Sequence, residues 1–235
     1  MSDLHATTPR VFLARHGETE WTKTGQYTGT TDIPLTEFGR TQVSGTARVL
    51  VGKGKLVDPD NLITVFVSPR QRARDTFGLL FNAENDDHGV LAPDKLVVTG
   101  DIAEWDYGEY EGMLVADIKR GRKERGLDQD RDFYIWRDGC EGGESAQQVT
   151  ERLDRMIGRI KDIQRPYMDG RGKGDIVLGQ VAHGLILRAF VKRWLGYPLD
   201  MKFEMMLSPG GIGVVSYKDH NVDEPALFIG LSLPA

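Results

Sequence analysis

Apolar positions along the chain follow two alternating rhythms. Short unbroken runs occur at VFLA (11–14), LITVFV (62–67), KLVVTGDI (95–102), DIVLGQVA (175–182), GIGVVSY (211–217) and ALFIGL (226–231). Their β-branched content and their length predict strands buried on both faces. Between them, apolar residues recur at helical spacing. The segment 33–52 predicts a turn and a helix capped by Thr36. In SPRQRARDTFGLLF (68–81), Ser68 is the expected cap, Pro69 the first helical residue and Gln71 the partner of a capping box. A short helix is expected over 113–120. Ser145 and Gln148 repeat the capping-box spacing ahead of Val149, Leu153, Met156, Ile157, Ile160 and Ile163. LILRAFVKRWLG (185–196) predicts a helix ending at Gly196. Residues 82–94 and 121–144 read as polar connections, and KDHNVDE (218–224) as a turn. Strands alternating with helices predict an α/β fold, a three-layer α/β/α arrangement around a mostly parallel sheet, in a single domain over 1–235.

Chemistry gathers where the strands stop. The first run ends in Arg15, His16 and Gly17, the second is followed by Arg70 and Arg72, and the fourth by His183. Ligands of open α/β sheets settle outside the carboxyl ends of strands, so these residues are expected to line one pocket. Arginine presents a fork of donors matched to phosphate oxygens. Arg72 falls in the first helical turn, where unpaired N–H groups also attract an anion. Gly17 is expected to let the backbone approach a ligand. Two imidazoles add a nucleophile and a donor.

Composition narrows the choice. The chain has 235 residues, 28% of them charged, with a formal charge of -5 and no massed basic block, which argues against nucleic acid as a partner. Cys140 is the only cysteine, so no intrachain disulfide forms. The first ten residues lack an apolar run, and no stretch of membrane-spanning length occurs, so the expectation is a cytoplasmic protein with no membrane partner. His16, His183, Glu104 and Glu18 match none of the short metal-binding spacings, and no P-loop is present. The expected metal and cofactor content is therefore none.

Residues alone lead to a phosphoester pocket built on histidine and arginine. The motifs RHGETEW (15–21), GQYTGTTDIPLTEFG (25–39), SPRQRARDT (68–76), EWDYGEYEG (104–112), GGES (142–145) and AHG (182–184) together resemble the histidine phosphatase superfamily, with its phosphoglycerate-mutase-like fold. RDGCEGGES (137–145) and the segment 210–227 resemble the fungal branch acting on sedoheptulose 1,7-bisphosphate. The resemblance implies His16 as nucleophile, Arg15, Arg72 and His183 as holders of the transferred phosphoryl group, and Glu104 as proton donor. Glu18, Asp106, Glu109 and Glu111 compete with Glu104 for that role on sequence alone. It also implies that Thr24, Gln26, Tyr27, Thr28 and Gly29 line the phosphate and sugar. Gly17, Tyr107 and Gly184 are further expected substrate contacts. Arg70 stands where the family commonly has an apolar residue and is either an extra anion contact or a salt-bridge partner, and Arg74 reads as solvated. Trp105, Tyr107 and Tyr110 frame a sugar or close the core. The basic residues of 119–137 either neutralise nearby acids or meet a second phosphate. The implied partner is a small phosphorylated sugar, and a homo-oligomer is compatible with it. A mutase-type phosphotransferase and a non-catalytic phospho-ligand module are the alternatives.

Overall fold

The first strand, β1 (Val11–Arg15), has Val11, Phe12, Leu13 and Ala14 at 2% exposure or less, so both of its faces are covered. That double burial is what an unbroken apolar run requires. The structure, a computed structural model, describes residues 8–81, 91–171, 174–180 and 184–229. Its sheet comprises β1, β2 (Leu62–Val67), β3 (Leu96–Val98), β4 (Asp175–Gln180), β5 (Ile212–Tyr217) and β6 (Pro225–Leu227), in the order β3-β2-β4-β1-β5-β6. β1, β2, β3 and β4 run parallel, while β5 is antiparallel to both β1 and β6. The mostly parallel sheet between helical layers is therefore present.

The period-two alternation of strands divides the core. Phe12, Ala14, Val65, Val67 and Val177 pack with Val43 and Ala47 of α2 (Glu37–Leu50) and Ala73 and Leu80 of α3 (Gln71–Leu80). On the other face, Val11, Leu13, Phe66, Ile176 and Leu178 meet α6 (Ala146–Gln164) and α7 (Leu185–Trp194) through Val149, Leu153, Ile160, Ile186 and Phe190. Each such side chain contributes about 1.5–3 kcal/mol on burial. The helix starts follow the local signals. Thr36 accepts from Gly39 N–H, and Ser145 and Gln148 form a reciprocal capping box.

Several boundaries differ from expectation. α3 begins at Gln71 with Arg70 as its uncapped N-terminal residue, not at Ser68. Ser68 N–H instead donates to Gly179 O at 3.2 Å, so sheet pairing with β4 takes the residue that the capping pattern claimed. β3 ends at Val98; Thr99 N–H still donates to Val67 O at 2.9 Å, and the chain then turns at Gly100, whose O accepts from Ala103 N–H. β6 covers Pro225–Leu227, and residues 230 and 231 of the expected run lie outside the described residues. The short helix expected over 113–120 is α4 (Val115–Glu124). Two short helices, α1 (Glu20–Thr24) and α5 (Ile135–Asp138), carry too few residues to show a period. The expected extension of β4 through residues 181 and 182 lies outside the described residues.

One glycine pair fixes the turn after β1. A Cβ on Gly17 would sit 2.3 Å from Gly39 O, and one on Gly39 would sit 2.2 Å from Glu18 O. Gly17 therefore admits the first turn of α2, where the sequence had suggested a ligand. Gly39→Ala is expected to destabilise the protein by about 1–3 kcal/mol in urea unfolding. A loss below about 0.5 kcal/mol, the range of an ordinary surface substitution, would show that this close approach is not required.

Candidate active site

Parallel pairing sets the carboxyl ends of β1, β4 and β2 side by side on one edge of the sheet. Main-chain bonds lock the first of these ends: Arg15 N–H donates to Gly211 O at 3.0 Å, and Gly210 N–H to His16 O at 2.8 Å. His16 is fully buried, and its Nδ1 is hydrogen-bonded to Gly17 O. A carbonyl only accepts, so Nδ1 carries the proton and Nε2 keeps its lone pair.

Two guanidinium groups occupy the same edge. Arg72, fully buried in the first turn of α3, donates to Thr31 O at 2.6 Å and to Thr28 O and Gly29 O at 3.1 Å. Its Nε is buried with no protein acceptor. Arg15 donates to Leu207 O, and its Nε is likewise buried without an acceptor. Burial lowers the pKa of both, that of Arg72 to about 10, against the opposing pull of Glu104. Neither is neutralised by a direct carboxylate contact among the described residues. Arg70 is half-buried, with its Nε unpartnered, while Arg74 is exposed. Ser68 Oγ is also buried and unpartnered at the end of β2.

Among the competing acids, Glu104 stands apart. It is 3% exposed, its Oε1 accepts from Trp105 N–H at 2.9 Å and from Tyr107 O–H at 3.1 Å, and its Oε2 is buried with no partner. Burial raises its pKa from 4.5 to about 7, the hydrogen bonds and the Arg152 and Arg72 charges only partly opposing. The other acids are engaged structurally: Glu18 accepts from Thr36, Asp106 from Gly108 N–H, and Glu111 from Gly29 and Thr31 N–H, while Glu109 pairs with Arg125 at the surface.

Two clefts flank this centre. One, of about 320 Å³, is lined by Arg15, Gly184, Arg188, Met205 and Leu207. The other, of about 230 Å³, holds Thr30, Arg70, Glu104, Asp106, Glu144 and Arg152. Arg188 was missed in the sequence reading. Its signal was a cation inside the otherwise apolar start of α7.

The sequence comparisons match this arrangement. Residues 11–226 fit the model of the histidine phosphatase superfamily (branch 1). The chain belongs to the histidine phosphatase superfamily. It is 40% identical to sedoheptulose 1,7-bisphosphatase of Saccharomyces cerevisiae, with 94% of this chain and 92% of that protein aligned. It is 34% identical to an acid phosphatase of Mycobacterium tuberculosis, over 95% and 93% of the two chains. A solved structure of an open reading frame from Mycobacterium tuberculosis superposes with a TM-score of 0.70 at 30% identity, over 94% of this chain and 96% of the other. The protein is thus an enzyme of the histidine phosphatase class, a phosphoric monoester hydrolase.

Within this histidine phosphatase frame the remaining expected residues sort by position. His183 lies outside the described residues. Gly184 starts α7 at φ 78, and a Cβ there would lie 3.8 Å from Arg15 Nη1. Thr24 is exposed and bonded to Gln26 Oε1, whose Nε2 donates to Gly112 O. Tyr27 is buried against Tyr107 with ring centroids 4.4 Å apart, Thr28 donates to Gln26 O, and Gly29 N–H is taken by Glu111. Tyr107 is fully buried and supports Glu104 from behind, while Trp105 and Tyr110 are core. These aromatics close the core; they do not frame an open site. In 119–137, Lys119, Arg120, Arg122, Lys123, Arg125, Arg131 and Arg137 each have a carboxylate partner. Self-neutralisation accounts for them. No group of three or more His, Cys, Asp and Glu side chains suited to a metal occurs among the described residues, and no described helix is long and apolar enough to cross a membrane.

The Glu104 carboxyl is expected to titrate with a midpoint about 7, neutral below and ionised above, when followed by carbon NMR of labelled glutamate. A midpoint near 4.5 would show that the site is wet.

Proposed function

We propose that this histidine phosphatase hydrolyses a sugar bisphosphate without a metal, through a phosphohistidine on His16, with sedoheptulose 1,7-bisphosphate the best-matched substrate. The reading is carried by one observation: the buried His16 ring, at the end of β1, donates from Nδ1 to Gly17 O, the tautomer in which Nε2 is the nucleophilic nitrogen. Nε2 attacks phosphorus in line and the bond to the leaving alkoxide breaks. Glu104, neutral up to a pH of about 7, gives its proton to that oxygen. Its carboxylate then takes a proton from the water that attacks the phosphohistidine, releasing phosphate and restoring His16. Arg15 and Arg72 hold the phosphoryl oxygens, with donor capacity left at Nε in each. His183 joins them on the strength of its AHG motif.

The bisphosphate part of the proposal draws support from the 40% identity to the yeast enzyme and from two further cations, Arg188 and Arg70, in the clefts on either side. Either could meet a second phosphate. A mutase reading is kept because a bisphosphoglycerate-dependent phosphoglycerate mutase of Methylobacterium is 28% identical over 80% of this chain.

Phosphate release measured across C3 to C8 sugar mono- and bisphosphates is expected to peak with the seven-carbon ketose bisphosphate. His16→Ala should reduce it to background, and Arg72→Lys should lower kcat by about 100-fold. Dominant interconversion of phosphoglycerates would overturn the hydrolase assignment, and equal activity in His16→Ala would remove the nucleophile. The pH dependence has a definite sign. The acid must be protonated for the first step, so kcat/KM falls as pH rises through about 7, and Glu104→Gln abolishes that limb. A wild-type profile flat to pH 9 would contradict the role given to Glu104.

A further inference from the structure

Glu104 sits in a segment with no helix or strand of its own, between the end of β3 and the turn at Gly108. A carboxyl that must meet a leaving oxygen cannot depend on such a backbone unless something else fixes it. The fixing group is on a distant element. Arg152, 7% exposed on α6, donates to Glu144 Oε1 from Nε at 2.7 Å and to Glu144 Oε2 from Nη2 at 2.9 Å. Its Nη1 donates to Asp101 O at 2.9 Å and to Ala103 O at 2.8 Å, and Nη2 also reaches Glu104 O at 3.4 Å. All five guanidinium N–H groups are thereby used, three of them on consecutive carbonyls or near neighbours of the catalytic segment.

Glu144 completes the bracket. Its Oε2 accepts from Asp106 N–H at 2.9 Å, its carbonyl from Trp105 Nε1–H at 2.8 Å, and its own N–H donates to Asp106 O at 2.9 Å. The peptide units on both sides of Glu104 are thus tied to a single ion pair. The charge on Arg152 is cancelled locally by Glu144, so it is not an additional phosphate holder. Its donors all point at protein acceptors, unlike those of Arg15 and Arg72.

We propose that Arg152, clamped by Glu144, is the positioning residue for Glu104, holding residues 101–106 so that the Glu104 carboxyl is presented to the leaving group. The proposal rests on the hydrolase reading above and adds to it a residue that never touches substrate. Its consequence is selective. In the transfer to His16, a displaced segment should impair proton delivery to an alkoxide, while a leaving group stable without a proton should be nearly indifferent; the later attack of water is common to both.

The experiment compares a sugar phosphate with p-nitrophenyl phosphate in wild type, Arg152→Met, Arg152→Lys and Glu144→Gln, with thermal unfolding as the check on folding. Arg152→Met is expected to lose about 100-fold in kcat/KM, which reports transfer to His16 and not the shared hydrolysis of the phosphohistidine, on the sugar phosphate and only a few-fold on p-nitrophenyl phosphate. Glu144→Gln, the milder change, should shift the ratio in the same direction. Arg152→Lys keeps the charge but not the five-point fork, so it should stay closer to the Met variant than to wild type. In a Glu104→Gln background, Arg152→Met should cost almost nothing more, because its effect passes through the missing acid. Equal losses in kcat/KM on both substrates, additivity with Glu104→Gln, or full recovery in Arg152→Lys would each overturn the positioning role. A folded wild type inactive on both substrates would instead refute the hydrolase reading, and the inference with it.

Discussion

Positive charge buried without a carboxylate is the constraint on which this molecule turns. Arg72 is fully enclosed and held by three main-chain carbonyls, and Arg15 is held by one. Carbonyl dipoles position a guanidinium but do not cancel its charge, so the pair carries a standing desolvation cost. The lowered pKa of both groups expresses that cost. An oxyanion entering the site relieves it. Under the proposed function, the energy that the fold spends on holding two cations without a direct carboxylate contact reappears as affinity for a doubly charged phosphoryl group, and more strongly as that group spreads its charge during transfer.

The same low polarity decides what Glu104 is. In water its carboxyl would be ionised at neutral pH and useless as an acid. Buried, it holds its proton to about pH 7, although two arginines pull the other way. Had the arginines been stronger neighbours, the acid would have become a permanent counter-ion. Had they been absent, its proton would have been held too tightly for the return step. In the proposed mechanism, balance between desolvation and cationic neighbours lets one carboxyl serve in both directions.

What could be read in the chain beforehand was what short-range chemistry determines. Thr36, Ser145 and Gln148 act as caps because the acceptor they need lies three residues away. Arg15 and His16 were visible because a buried run ends in them, and the motif set gave Glu104 its place. Failures came where distance along the chain was large. Arg152 looked like one more polar residue on an amphipathic helix, yet it serves carbonyls 48 to 51 positions earlier. Gly17 seemed made for a ligand and is instead made for Gly39. Ser68 had a cap's spacing, but β4 offered its backbone a better bond.

Arginine illustrates the division of labour. Arg122, half-buried, and Arg152, buried, have carboxylate partners at 2.8 Å and 2.7 Å and spend their donors on protein acceptors. Arg15 and Arg72, with equal burial of their Nε atoms, are left short of acceptors. Burial by itself therefore does not separate a functional arginine from a structural one. The discriminating quantity is the number of donors remaining after the protein has used what it needs. By that count the strand-end arginines are incomplete without a ligand, and the arginine behind the acid is complete without one. The proposed phosphoryl transfer uses both kinds: cations with donors left to follow the moving charge, and a cation so fully committed that it holds the segment of the acid in place.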